Sequence, residues 1–192
     1  MNENYPSLSL IRQHLYSGCK DCPIHVFEQI DSTNTEAKRG HYPLGSVLLA
    51  KEQTGGRGRL GKSFFSPAGG IYVSVVIKPW ETDIDEMTTA AGFAVIAAIE
   101  KATSIKTEKR RINDIYLDGL KICGILAEGV TNVDTAAIEA VVIGAGLNVF
   151  PPQGGFSPEL NKIAGALCQT GQARVDKNKI AAEIISALLL LK

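Results

Sequence analysis

The sequence has no excess of charge of either sign. Its 20 lysines and arginines are balanced by 20 aspartates and glutamates over 192 residues. Nucleic-acid binders usually carry surplus basic charge, so the balance argues against a dedicated DNA or RNA binder, though not against a locally basic pocket. Long apolar runs are also missing. The longest, near Ala90–Ile99 and Ala187–Leu191, fall short of the roughly 18 residues a membrane-spanning helix needs. Met1–Leu10 shows no basic stretch leading into an apolar core, so no secretory signal is visible and a cytoplasmic location is expected. Histidine is sparse, and His14, His25 and His41 are too scattered to suggest a cluster.

Cysteine is limited to Cys19, Cys22, Cys123 and Cys168. Cys19 and Cys22 have the spacing of half a zinc site, but no second pair completes it. A thioredoxin-like pair should open a helix after a strand, whereas Pro23 and the strand-like Ile24–Phe27 follow here. Incidental thiols are the expected outcome.

What is present is an ordinary globular mix, 45% hydrophobic and 21% charged, enough for one domain with a real core over residues 1–192. Leu8, Ile11 and Leu15 mark one face of a short helix, and Ile24–Glu28 alternates like a strand. Asp31–Asn34 offers caps for a helix running to about Arg39. Ser46–Ala50 and Ile71–Ile77 read as apolar strands, and Met87–Lys101 as a buried helix. Asp118-Gly119 should close a hairpin between Asn113–Leu117 and Lys121–Gly129. A third strand, Ala137–Ile143, should be interrupted by Gly144-Ala145-Gly146. Two closing helices are expected at Ser157–Gln169 and Asn178–Leu191. Together these predict an α+β fold: a mixed, largely antiparallel sheet flanked by helices.

Gly56-Arg57-Gly58-Arg59-Leu60-Gly61-Lys62-Ser63 fits the phosphate-loop expression G-x-x-x-x-G-K-[ST]. That loop works by presenting backbone amides at a helix start. Here Pro67, Gly69 and Gly70 stand before the next strand, which leaves no room for the helix. A phosphate-loop NTPase is therefore the last of the expectations. The segment still lets backbone approach a ligand closely and concentrates Arg57, Arg59 and Lys62, whose donors suit phosphate and carboxylate oxygens. No acidic residue lies between Gln53 and Trp80.

Set beside its neighbours, the loop resembles the catalytic loop of biotin protein ligases, roughly GRGRxGRxWxSPxG, across Gly56–Gly69. Asp31-Ser32-Thr33-Asn34 resembles that family's DSTN segment, and Gln53 its glutamine ahead of the glycines. Ile71-Tyr72-Val73-Ser74 is similar to the strand that follows, and Asn113-Asp114 to the end of KWPND. Lys121-Ile122-Cys123-Gly124-Ile125-Leu126-Ala127-Glu128 is similar to K-x-x-G-I-L-x-E, and Ile143–Val149 to the GIGxN turn. The departures are Arg110-Arg111-Ile112 in place of Lys-Trp-Pro, Lys62 in place of arginine, and Phe64 in place of tryptophan.

The resemblance implies the fold shared with lipoyl ligases and class II aminoacyl-tRNA synthetases. It also implies a two-step reaction, in which biotin and ATP give biotinoyl-5′-adenylate and a lysine of a biotin carboxyl carrier protein then takes the biotinoyl group. Implied catalytic residues are Lys121, Arg57 and Arg59. Implied contacts to biotin or adenylate come from Ser32, Thr33, Asn34, Gln53, Gly56, Gly58, Lys62, Phe64, Asn113, Gly124, Gly146 and Asn148. Asp114 is the implied Mg²⁺ residue. With about 25 residues before the first strand, no DNA-binding module is expected, nor the family's small C-terminal barrel. No DNA or membrane partner is expected; pairing with a second copy through a sheet edge is. The alternatives are a non-catalytic biotin-binding relative, or a ligase for lipoate or another acyl acid.

Overall fold

The computed structural model describes residues 6–80, 83–110, 113–132, 134–168 and 175–191. Its centre is a seven-stranded sheet in the order β1-β2-β3-β7-β6-β5-β4. The strands are β1 (Ile24–Ile30), β2 (Val47–Gln53), β3 (Ile71–Ile77), β4 (Glu108–Arg110), β5 (Asp114–Leu117), β6 (Leu120–Thr131) and β7 (Ile138–Leu147). β1 and β2 run parallel, and every other neighbouring pair is antiparallel. The helices are α1 (Leu8–His14), α2 (Thr33–Arg39), α3 (Ile84–Thr103) and α4 (Lys177–Leu189). This is the expected mixed, mostly antiparallel α+β fold.

Helices cover both faces of the sheet. α1, α3 and α4 close the larger core, where Val47, Leu49, Val73, Val75, Ile143 and Ile125 meet Met87, Val95, Ile99, Ile184 and Ile185. α2 closes a smaller core on the other face, with Ala37 against Leu48, Val76 and Val142. β3 lies between the two layers, and all seven of its residues are buried. That explains its nearly unbroken apolar sequence, since a strand covered on both faces has no solvent side to alternate with. The helix starts follow their caps. Ser32 Oγ accepts from Thr35 N at 3.4 Å, Asp83 caps α3 through Asp85 N, and Asp176 accepts from Asn178 N and Lys179 N.

Three features depart from the expected pattern. Gly144–Gly146 does not interrupt β7, which runs through it to Leu147 with an unbroken register against β3. The helix expected at Ser157–Gln169 is instead a single 3-10 turn, Leu160–Lys162, then extended chain; Gln169 lies outside the described residues. Pro158 and Gly165 disfavour helix, and the backbone groups go elsewhere: Gly165 N donates to Lys121 O, and Lys121 N to Ile163 O. β4 was not expected, because Glu108-Lys109-Arg110 carries no apolar signal. It forms by pairing with β5.

Candidate functional site

An open cleft lies on the α2 face of the sheet. Strand alternation builds it. Across β3, β7 and β6 the register aligns Tyr72 with Gly146 and Gly124, and Ser74 with Gly144 and Leu126. These rows share the face that α2 covers, while Ile143, Ala145 and Leu147 point into the larger core. Glycine at 124, 144 and 146 removes side chains from that face and leaves a floor of bare backbone. A methyl group on Gly146 would stand 2.7 Å from the Phe64 ring, and one on Gly144 would collide with the Asn34 amide.

A polar chain runs along one wall. Thr33 N and Oγ1 donate to Gln53 Oε1 at 2.8 and 3.1 Å, and Gln53 Nε2 donates to Ser66 Oγ at 2.8 Å. Ser74 Oγ lies 2.7 Å from Thr33 Oγ1 and 2.6 Å from Asn34 Oδ1. Asn34 Nδ2 donates to Leu126 O at 3.1 Å and Glu128 Oε2 at 3.0 Å. The Asn34 amide is thus bonded at both ends within the protein, and it fixes α2 to the sheet. Ser32 and Thr33 keep hydroxyl capacity toward the cleft, which both line.

The glycine-rich loop folds over the floor. No helix follows it, which disposes of the phosphate-loop geometry. Bridges Gln53–Ser66 and Arg57–Ser63 make it a narrow antiparallel flap with one 3-10 turn at Arg59–Gly61. Gly56 packs where a methyl group would meet the Phe64 carbonyl and Ser66 Oγ. Phe64 lies on Gly124 and Gly146, with Lys121 Nζ 5.6 Å from its ring centre. Lys121 Nζ is 2.6 Å from Asp114 Oδ1, while no donor reaches that buried oxygen at a hydrogen-bonding angle. The contact is therefore ionic.

The cleft brings together Ser32, Thr33, Asn34, Gln53, Arg57, Gly58, Phe64, Asn113, Lys121, Gly124 and Gly146. Five other expected residues, Gly56, Arg59, Lys62, Asp114 and Asn148, stand outside its lining. Arg59 pairs with Asp85 at the start of α3, 2.9 Å away. Lys62 is exposed and holds the flap through its carbonyl, which accepts from Gly58 N. Gly56 acts by packing under the flap. Asn148 donates from Nδ2 to Gly165 O at 3.0 Å and so braces the segment that flanks Lys121. Arg110 turns to Glu108 and the Tyr116 ring; Arg111 and Ile112 lie outside the described residues.

Asp114 does not fit a metal ligand. Its carboxylate faces the Lys121 ammonium, which already neutralises its charge. Two participants carried no role in the sequence reading. Ser74 could have been found as the one polar residue in an otherwise apolar strand. Glu128 could have been found as a carboxylate closing an apolar strand motif.

The sequence model of the Biotin/lipoate A/B protein ligase family matches residues 26–148, well over half of the chain. The chain belongs to that family. The match runs from β1 to the end of β7 and takes in the whole cleft. Among named relatives, the bifunctional ligase/repressor BirA of Bacillus subtilis is 32% identical over 166 residues, covering 83% of this chain and 50% of BirA. The biotin–[acetyl-CoA-carboxylase] ligase of Mycobacterium tuberculosis is 31% identical, covering 86% of this chain and 62% of that protein. The chain thus spans about half to three fifths of these relatives. Among solved structures, the biotin protein ligase of Aquifex aeolicus in complex with biotin and ATP superimposes with a TM-score of 0.72 at 26% identity. That match covers 86% of this chain and 68% of the other. Among the described residues, no helix of this family member is long and apolar enough to cross a membrane.

Proposed function

We propose that this chain joins biotin to ATP, giving biotinoyl-5′-adenylate and pyrophosphate, and passes the biotinoyl group to a lysine of a biotin carboxyl carrier domain. The observation that carries this reading is the pairing, in one cleft, of a polar chain (buried Ser32 and Thr33 with half-buried Gln53) with two cations, Arg57 and Lys121. The family membership and the names of the relatives point the same way.

The polar chain selects the acid. A ureido ring offers two N–H donors and a carbonyl acceptor, which match the hydroxyls and the Gln53 amide. The dithiolane of lipoate offers no hydrogen-bonding group to the remaining capacity of Ser32 and Thr33, which favours the ureido ring. The cations serve the chemistry. A carboxylate oxygen of biotin attacks the α-phosphorus, and the bond to the departing pyrophosphate breaks. Both reactants are anions, so the cleft must hold them in line and neutralise charge growing on the phosphoryl oxygens. Lys121 supplies a fixed point charge for this, held between the Phe64 ring and Asp114. In the second step the carrier lysine attacks the acyl carbon, AMP leaves with the bonding electrons, and the amine proton passes to solvent. The flap over the floor shields the mixed anhydride from water. The edge strands β1 and β4 are where a carrier strand or a second copy would add to the sheet.

Titration calorimetry tests the reading. Biotin should give a saturable heat that lipoate does not reproduce, and biotin with ATP should raise the mass of a carrier domain by one biotinoyl group. Preferential binding of lipoate, or binding without transfer, would overturn it.

A further inference from the structure

Glu128 lies near the end of β6 and outside the cleft lining, yet three side chains from two other segments converge on it. Asn34 Nδ2 of α2 donates to Oε2 at 3.0 Å, Lys38 Nζ of α2 sits 3.0 Å from Oε1, and Arg57 Nη2 of the flap sits 3.3 Å from the same oxygen. The carboxylate is 14% exposed, whereas the Arg57 side chain is 47% exposed. Among the described residues, Glu128 is the carboxylate that Arg57 meets. A free arginine side chain samples many rotamers, and an anchored guanidinium has given up much of that entropy before a ligand arrives. Two cations also share one carboxylate, so the cluster keeps one surplus positive charge beside the cleft.

We propose that Glu128 is a positioning residue: it holds the Arg57 guanidinium against the cleft wall, ready for the anionic end of the substrates. Glu128 touches no substrate and acts through Arg57. The inference rests on the proposed biotin-activating function.

The test is a double-mutant cycle on biotin-dependent exchange of pyrophosphate into ATP, using the full chain. Glu128→Gln should lower kcat/KM for biotin about tenfold, mostly through KM, and Arg57→Ala should do at least as much. The double variant should be no worse than Arg57→Ala within about twofold, since the anchor has nothing left to hold. Lys38→Met, which removes the cation facing away from the cleft, should change kcat/KM less than about twofold. Glu128→Asp, which keeps the charge but retracts it, gives the same cycle where the amide variant does not fold. Multiplying effects of Glu128→Gln and Arg57→Ala would overturn the proposal, as would a Lys38→Met loss equal to that of Glu128→Gln. Both outcomes would mean that Glu128 only ties α2 to the sheet. An unmodified protein without exchange would instead overturn the functional reading, and this inference with it.

Discussion

Lys121 and Asp114 form an ion pair, 2.6 Å apart, across an irregular stretch of the β5–β6 hairpin. Tyr116 pairs with Lys121 and Ile115 with Cys123, so Ile122 is the extra residue of a bulge. The bulge brings Lys121 and Gly124, three apart in sequence, to the same cleft. In a regular strand an odd separation would put them on opposite faces.

Breaking this pair should separate stability from activity. Lys121→Ala leaves the Asp114 carboxylate mostly buried without its counter-ion, at a cost of about 3 kcal/mol. It should also lower turnover roughly 100-fold or more. Lys121→Met with Asp114→Asn removes both charges. Chemical denaturation should then show most of the stability restored, while the exchange rate stays low. Recovery of both together would count against a catalytic Lys121.

Two glycines should fail for different reasons. Gly146→Ala pushes the Phe64 ring off the floor, because the new methyl would stand 2.7 Å from it. Trypsin should then cut sooner at Arg57 or Arg59, and ligand binding should weaken. Gly119 has φ +80° in the hairpin turn with nothing near its missing side chain. Gly119→Ala should cost about 1 kcal/mol of stability and leave the trypsin pattern unchanged.

The Glu128 carboxyl gives a pH signature. Burial pushes it up, but hydrogen bonds from Asn34 and Lys38, with the charges of Lys38 and Arg57, outweigh that and hold it below the ordinary value of 4.5. A carboxyl depressed on folding contributes stability above its unfolded pKa and loses it as pH falls through its folded pKa. The stability gap between the unmodified protein and Glu128→Gln should therefore be constant above about pH 6 and shrink below pH 4.5, as urea titrations across that range would show. A gap independent of pH would mean that the carboxylate charge adds nothing.

Arg59 and Asp85 should matter little to stability and more to binding. Their contact is 2.9 Å but partly exposed, which is worth less than about 1 kcal/mol. Asp85→Ala frees Arg59 to reach an anion in the cleft. The Tm should move little, and KM for ATP should fall about two- to threefold. An unchanged KM would place Arg59 outside the site altogether.

Cys123 illustrates how burial silences a thiol. Burial pushes its pKa up to about 12, with Lys121 opposing and Asp114 adding to the rise. Iodoacetamide at pH 8 should leave Cys123 unmodified in the native protein and alkylate it in denaturant, read by peptide mass.

Much of the site was legible because its motifs are local. Ser32 to Asn34 form the start of α2, Gln53 ends β2, and the glycine–arginine segment is one flap. What the sequence hid was register. Gly144–Gly146 looks like a break because glycine weakens a strand, and only the alignment of β3, β7 and β6 shows the glycines clearing one face for the Phe64 ring and the Asn34 amide. The bulge that brings Lys121 to the cleft has no signature of its own. The partners of Arg59 and Glu128 depend on packing between distant segments, Asp85 for one and Lys38 with Arg57 for the other. The Ser157–Gln169 stretch failed as a helix because Lys121 offers its backbone hydrogen bonds elsewhere.

In the proposed reaction, one cleft uses Lys121 and Arg57 to join biotin to the α-phosphate of ATP. The most direct test is the incorporation of labelled pyrophosphate into ATP by the purified chain. Exchange should require biotin, find no support in lipoate, and be lost in Lys121→Ala. Exchange without any acid, exchange driven by lipoate, or full exchange in Lys121→Ala would contradict it.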